Sequence, residues 1–137
     1  RLQGVSSQLH LLDPVKARDV PRAIASCDVA VVPFQAEGLN HSYAMPNKLF
    51  EAAFAGVPLC VSDLPEMRKF VASLGIGRVM DQTNPKNIAD AIRDICENPE
   101  RYAASEVSRQ RLQQEYSWAS QKNKLMALYN ELCYPED

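Results

Sequence analysis

The sequence is poor in the residues from which phosphate loops and metal cages are usually built. Glycine occurs five times in 137 residues, and the five form no glycine-rich phosphate loop. Any phosphate held here must be held by other means. Histidine occurs twice, and no cluster of His, Asp or Cys has metal-ligand spacing. A Ser-His-Asp constellation is also missing. The four cysteines, Cys27, Cys60, Cys96 and Cys133, lie too far apart for a Cys-x-x-Cys motif. With no signal peptide in view they are expected to be reduced thiols in a cytosolic setting, Cys60 as a small core residue. No apolar run approaches the roughly 20 residues that cross a bilayer. Charge of one sign does not dominate: the formal net charge is −2, so no global field would gather nucleic acid or anionic lipid. The short basic spots at Arg18 and Arg22, and at Arg109 and Arg111, read as solvated helix faces. Repeats, low-complexity tracts and linkers are lacking as well.

What remains is an ordinary globular composition, 46% hydrophobic and 23% charged, long enough for one domain with a single core. The first residue is Arg1 rather than Met, which is compatible with a processed or truncated start. Gln8 to Leu12 (QLHLL) is a strand candidate, ended by the turn signal Asp13-Pro14. Asp19 can cap a helix with Pro21 in its first turn, running to about Cys27. Asp28 to Phe34 (DVAVVPF) reads as a strand buried on both faces. A polar loop fills 35–45. A helix over about Pro46 to Ala55 ends with Gly56 at its C′ position. Val57 to Ser62 is a second buried strand. A helix opens at Pro65 and runs to about Ser73, Gly75 and Gly77 mark a turn, and Arg78 to Asp81 is a short strand. Ile88, Ala91, Ile92 and Ile95 make the stripe of an amphipathic helix opened by Pro85. Asn98-Pro99 breaks it, and helices near 99–114 and 117–133 follow. Strand and helix in alternation imply a parallel α/β sheet with helices on both faces. In such sheets ligands sit beyond the carboxyl ends of the strands.

The stretch MPNKLFEAAFAGVP, residues 45–58, is the informative one. A helix N-terminus carries unpaired N–H groups and partial positive charge, which suits an anion and above all phosphate. Lys48 adds a full charge there, and Asn47 adds a donor and an acceptor. Glu51, three and four residues on, shares their face. A carboxylate beside a phosphate site accepts hydrogen bonds from sugar hydroxyls, and the ribose of a nucleoside diphosphate supplies two. The competing explanation is a surface ion pair between Lys48 and Glu51, worth about 0.2–0.5 kcal/mol.

DVAVVPF, then NKLFEAAFAGVPLCVSDLPE, PKNIADAI and the closing YSW…LMALYNEL resemble the carboxyl-terminal domain of retaining glycosyltransferases with two Rossmann-like domains (the GT-B type). The likeness is to the large group 1 family that uses nucleotide sugars to build bacterial surface glycans, and it runs from about Leu9 to Leu132. It implies that Glu51 holds the donor's ribose and that Asn47 and Lys48 meet the diphosphate. By the same resemblance Pro14, Val15 and Lys16 line the nucleobase. Where many members carry a second glutamate near the transferred sugar, this chain has Tyr43. The family's domain begins with two further strands, in the middle of its sheet, bearing a phosphate-binding Arg/Lys pair. The sequence is expected to start after them and to lack the acceptor-binding domain, so residues 1–137 are expected to be a partial domain with 117–133 as its closing helix.

His41, with Asn40, Ser42 and Tyr43, lies in the loop that faces the proposed site and is a candidate for the donor sugar or phosphate. His10 is expected to be a satisfied core histidine. Ser62 and Asp63 end a strand on the ligand side, or cap the Pro65 helix. Trp118 is expected to anchor the last helix. The resemblance implies retaining transfer from a nucleoside-diphosphate sugar to a glycan or lipid-linked acceptor, in polysaccharide synthesis at the cytoplasmic side of the membrane. Lys48 would then stabilise the leaving group. No cofactor is expected, and no metal is required if lysine and helix N–H groups do the neutralising. A nucleotide-sugar epimerase of the same fold and a non-catalytic interaction module are the alternatives.

Overall fold

The computed structural model describes residues 7–133 and has one three-stranded parallel sheet at its centre. The strands β1 (Ala30–Val32), β2 (Leu59–Ser62) and β3 (Gly77–Met80) stand side by side in chain order. Val31 pairs with Cys60, and Cys60 with Arg78. β2 is central and buried along its whole length, as a strand covered on both faces must be. Its side chains alternate between two cores. Leu59 and Val61 face a larger cluster with Leu49, Met67, Phe70 and Leu112, and Cys60 faces a smaller one with Met80, Ala91, Ile95 and Tyr102. The larger cluster draws on α3 (Asn47–Phe54), α4 (Pro65–Leu74) and α7 (Glu106–Tyr116). The smaller one draws on α5 (Pro85–Glu97) and α6 (Pro99–Tyr102), so helices cover both faces of the sheet.

The helix ends follow local chemistry. α3 closes in a Schellman motif: Gly56 sits at φ +77°, its N–H reaches Ala53 O at 3.1 Å and the Val57 N–H reaches Ala52 O at 3.1 Å. α4 ends on Gly75 in the left-handed region, and Asn84 caps α5 by accepting from the Lys86 and Asn87 N–H groups. A third glycine, Gly77, is fixed by space, not by conformation. A Cβ on Gly77 would lie 2.1 Å from the carbonyl oxygen of Leu59.

Several sequence expectations are corrected. Residues 8–12 form no strand; His10 and its neighbours are exposed, with Leu11 88% and Leu12 85% accessible. A strand exists only by pairing, and no described strand lies beside this segment to satisfy its backbone. For the same reason β1 has shrunk to three residues: it pairs on one side only, and Val31 remains 39% accessible. Asp19 precedes α1 (Val20–Ala25) after a 3₁₀ turn over Ala17–Asp19, but its side chain caps nothing. Pro46 is the N-cap of α3 and not its first helical residue. The helix expected over 99–114 is two helices, because the Ser105 hydroxyl accepts the Ser108 N–H and starts α7 afresh. Trp118 opens α8 (Trp118–Cys133) and is 72% accessible, so it does not anchor that helix among the described residues.

Candidate functional site

The chain leaves β1 at the carboxyl edge of the sheet and returns along α3, so the N-terminus of α3 lies at that edge, where parallel sheets bind ligands. The return is held in place from beneath. Leu49, Ala52 and Ala53 are buried, and Phe50 packs edge-on against Phe70 at 5.5 Å and beside Tyr116. With that face committed to the core, helical spacing leaves Asn47, Lys48 and Glu51 together on the solvent side, and all three are exposed. No side chain caps the helix start. Lys48 and Glu51 make no ion pair with each other, and neither side chain has a hydrogen-bond partner among the described residues. The six ion pairs among the described residues join other groups. The surface ion pair is therefore not what these two residues are doing.

The loop from Pro33 to Pro46 forms the neighbouring wall. Pro33 centres a tight turn in which the Phe34 N–H reaches Val32 O at 3.1 Å, a conformation that proline's fixed φ favours. Phe34 and Met45, near the two ends of the loop, pack on the larger core. Between them a one-turn helix, α2 (Leu39–Ser42), carries Asn40, His41 and Ser42. The His41 ring meets the Phe34 ring edge-on, 5.6 Å between centroids. The Ser42 hydroxyl donates to Gly38 O at 3.0 Å and so is partly engaged with its own helix. Tyr43 follows as the end of that helix and is 60% accessible. Pro14, Val15 and Lys16 lie in an exposed irregular segment leading into α1, which packs on α3.

Ser62 does not cap α4. Its hydroxyl accepts the Phe34 N–H at 2.6 Å and donates to Val32 O at 3.3 Å, tying the ends of β1 and β2 together. Asp63 also caps nothing; it accepts from the Arg68 Nε at 2.6 Å, while its N–H points to Gln82 Oε1 at 3.3 Å. Concave surface is found elsewhere too. A hollow of about 540 Å³ is lined by Asp28, Gly56, Pro58, Cys96, Pro99 and Ala103, and one of about 460 Å³ runs from Ala53 to Gly56 beside Arg109. Both gather at the opposite, C-terminal end of α3. Neither hollow is lined by Lys48 or Glu51.

On the α5 side of the sheet lies a cluster that composition and spacing did not reveal. Asp94 on α5 receives the Arg78 guanidinium at 2.6 Å, the Tyr102 hydroxyl, and the Asn98 side-chain amide at 3.1 Å. The Tyr102 hydroxyl, followed by the positive charge of Arg78, holds the Asp94 carboxyl below its ordinary range. The same bond pushes the Tyr102 hydroxyl up. Every member is satisfied within the cluster, which fastens α5 and α6 to β3. Burial pushes the Cys60 thiol up to about 11, which makes it an inert core group. Among the described residues no group of three or more His, Cys, Asp or Glu could hold a metal ion, and no helix is long and apolar enough to cross a membrane.

Three comparisons bear on the family and the fold. The profile of the family described as "Glycosyl transferases group 1" matches residues 1–98. Among solved structures, sucrose-phosphate synthase from Thermosynechococcus elongatus matches with a TM-score of 0.77 at 18% identity, over 96% of this chain and 32% of that one. The chain thus spans about a third of the enzyme whose fold it shares. A search of curated proteins gives no significant match.

Proposed function

The chain belongs to the glycosyl transferases group 1 family, and on that premise we propose that it is the carboxyl-terminal, donor-binding domain of a retaining glycosyltransferase. One observation carries this proposal: at the carboxyl edge of a parallel sheet, an uncapped helix start presents a lysine and a glutamate with no partners among the described residues. The donor is a nucleoside-diphosphate sugar. Its diphosphate lies across the first turn of α3, against the N–H groups of Asn47 and Lys48 and the Lys48 ammonium. Its ribose hydroxyls donate to Glu51, one turn along. His41 and Ser42 face the phosphates or the sugar from the loop. Tyr43 stands near the sugar, and Pro14 to Lys16 line the base.

In transfer the bond from the anomeric carbon to the diphosphate breaks, a bond to the acceptor oxygen forms on the same face, and the proton of the acceptor hydroxyl passes to the departing diphosphate. Negative charge gathers on the leaving bridging oxygen. Fixed N–H dipoles and an ammonium group already aimed at that oxygen stabilise the transition state more than the ground state. Glu51 orients the nucleoside and takes no part in bond making. The acceptor, a glycan or lipid-linked sugar of a surface polysaccharide, is met by a second domain on the cytoplasmic side of the membrane.

Calorimetric titration with UDP, GDP and UMP tests the proposal. Binding of either diphosphate, tighter than the monophosphate, supports it and reveals the base. Absence of binding to all three contradicts it and favours an interaction module.

A further inference from the structure

Among the described residues Ser62 is the one polar side chain that is fully buried. It belongs to a strand end, touches no solvent, and bonds to residues 28 and 30 positions away. Burying a hydroxyl is unfavourable unless it is fully bonded, and in β2 a small apolar residue would fill the same space without that cost. The bonds of the Ser62 hydroxyl both go to the turn that launches the loop from Pro33 to Pro46. The Phe34 N–H is shared between Ser62 Oγ and Val32 O, and the Ser62 hydroxyl donates to that same Val32 O. These three groups form a closed triangle around Pro33. Phe34 then supports the His41 ring edge-on. The backbone bonds of the sheet do not reach this point, because β1 stops at Val32.

We propose that Ser62 is a positioning residue, which fixes the Pro33–Phe34 turn and through Phe34 holds His41 in the loop that leads to α3. It touches no ligand. This rests on the donor-site proposal for its functional consequence, but the positioning itself can be read without a ligand. The hydroxyl acts as a splint between two parallel strand ends, and the first part of the loop from Pro33 to Pro46 takes its course from it. The far part is set independently by Met45 on the core.

The test uses the full chain and the variants Ser62→Ala, Ser62→Thr and Phe34→Leu, read by NMR and by UDP and GDP titration. In Ser62→Ala the Phe34 amide should exchange about fivefold faster or more, as expected for the loss of one hydrogen bond, while Val61 and Met80 amides keep their protection. The His41 ring protons should lose the shift imposed by the Phe34 ring. Diphosphate affinity should fall by about the same factor. Ser62→Thr, which keeps the hydroxyl, should restore all three. Phe34→Leu should lose the His41 shift and the affinity yet keep a protected amide at position 34. Unchanged Phe34 exchange and His41 shifts in Ser62→Ala overturn the proposal. A uniform loss of core protection, unrelieved in Ser62→Thr, also overturns it, since that is a merely structural role. If the unaltered chain binds neither diphosphate, the donor-site proposal fails by itself and the exchange and ring-shift readouts still decide the role of Ser62.

Discussion

On the donor-site proposal, a single ammonium group distinguishes the ligands held at the start of α3. Lys48 would meet phosphate oxygens and offer nothing to a nucleoside. Lys48→Ala should therefore weaken UDP or GDP by about 1.5–3 kcal/mol, tenfold or more, and leave the nucleoside unchanged. Glu51→Ala should weaken nucleoside and diphosphate alike, because ribose is common to both. Calorimetry on the two variants reads both outcomes, and equal losses of nucleoside and diphosphate in Lys48→Ala would remove Lys48 from the phosphate site. These residues were legible in the sequence because their relation is local: helix spacing alone sets Asn47, Lys48 and Glu51 on one face, and an apolar stripe tells which face is buried. Ser62 was not legible. Its partners lie 28 and 30 residues away, and nothing in the string VPLCVS distinguishes a splint from a helix cap.

At the level of elements, strands and helices answer to different evidence. β2 and the amphipathic α5 were readable, since burial on both faces and a 3.6-residue stripe each leave a mark in composition. The stretch QLHLL and the full length of DVAVVPF were not, because a strand depends on what lies beside it, and β1 pairs with β2 alone. Gly77 shows the same dependence. Sequence marks it as a turn residue, whereas the pairing with Leu59 puts it in a strand with no room for a methyl group. Gly77→Ala should destabilise the fold by about 1–3 kcal/mol, measured by urea unfolding, with the midpoint falling and the slope unchanged. The Asp94 cluster gives a pH signature. Its carboxyl titrates lower in the folded chain than in the unfolded one, first through the Tyr102 hydroxyl. The stability it contributes is therefore complete above about pH 4, the unfolded carboxylate value, and is lost as pH falls through the folded value. Asp94→Asn should flatten that acid limb in a series of thermal melts from pH 7 to pH 2. An acid limb as steep as that of the unaltered protein would show that Asp94 does not contribute to it.

At the scale of the whole molecule, the α/β class, the parallel sheet and the covering helices on both faces were legible, and the family match agrees with them. The order of elements recorded them, since strand and helix alternate along the chain. The exposure of α8 was not: Leu125, Met126, Leu128, Tyr129 and Leu132 are accessible among the described residues. The chain spans 32% of the sucrose-phosphate synthase whose fold it shares, and on the donor-site proposal it should bind a donor without completing the reaction. Radiolabelled sugar transfer to acceptor glycans should stay at background with this chain alone, and turnover would refute the division of labour between two domains. The most direct measurement is a ¹H–¹⁵N NMR titration with UDP and GDP. The account predicts that one of them shifts the Asn47 and Lys48 amides most, with Glu51 and the loop from Phe34 to Tyr43 following. Shifts confined to the hollows around Gly56, or no shifts at all with either nucleotide, would contradict it.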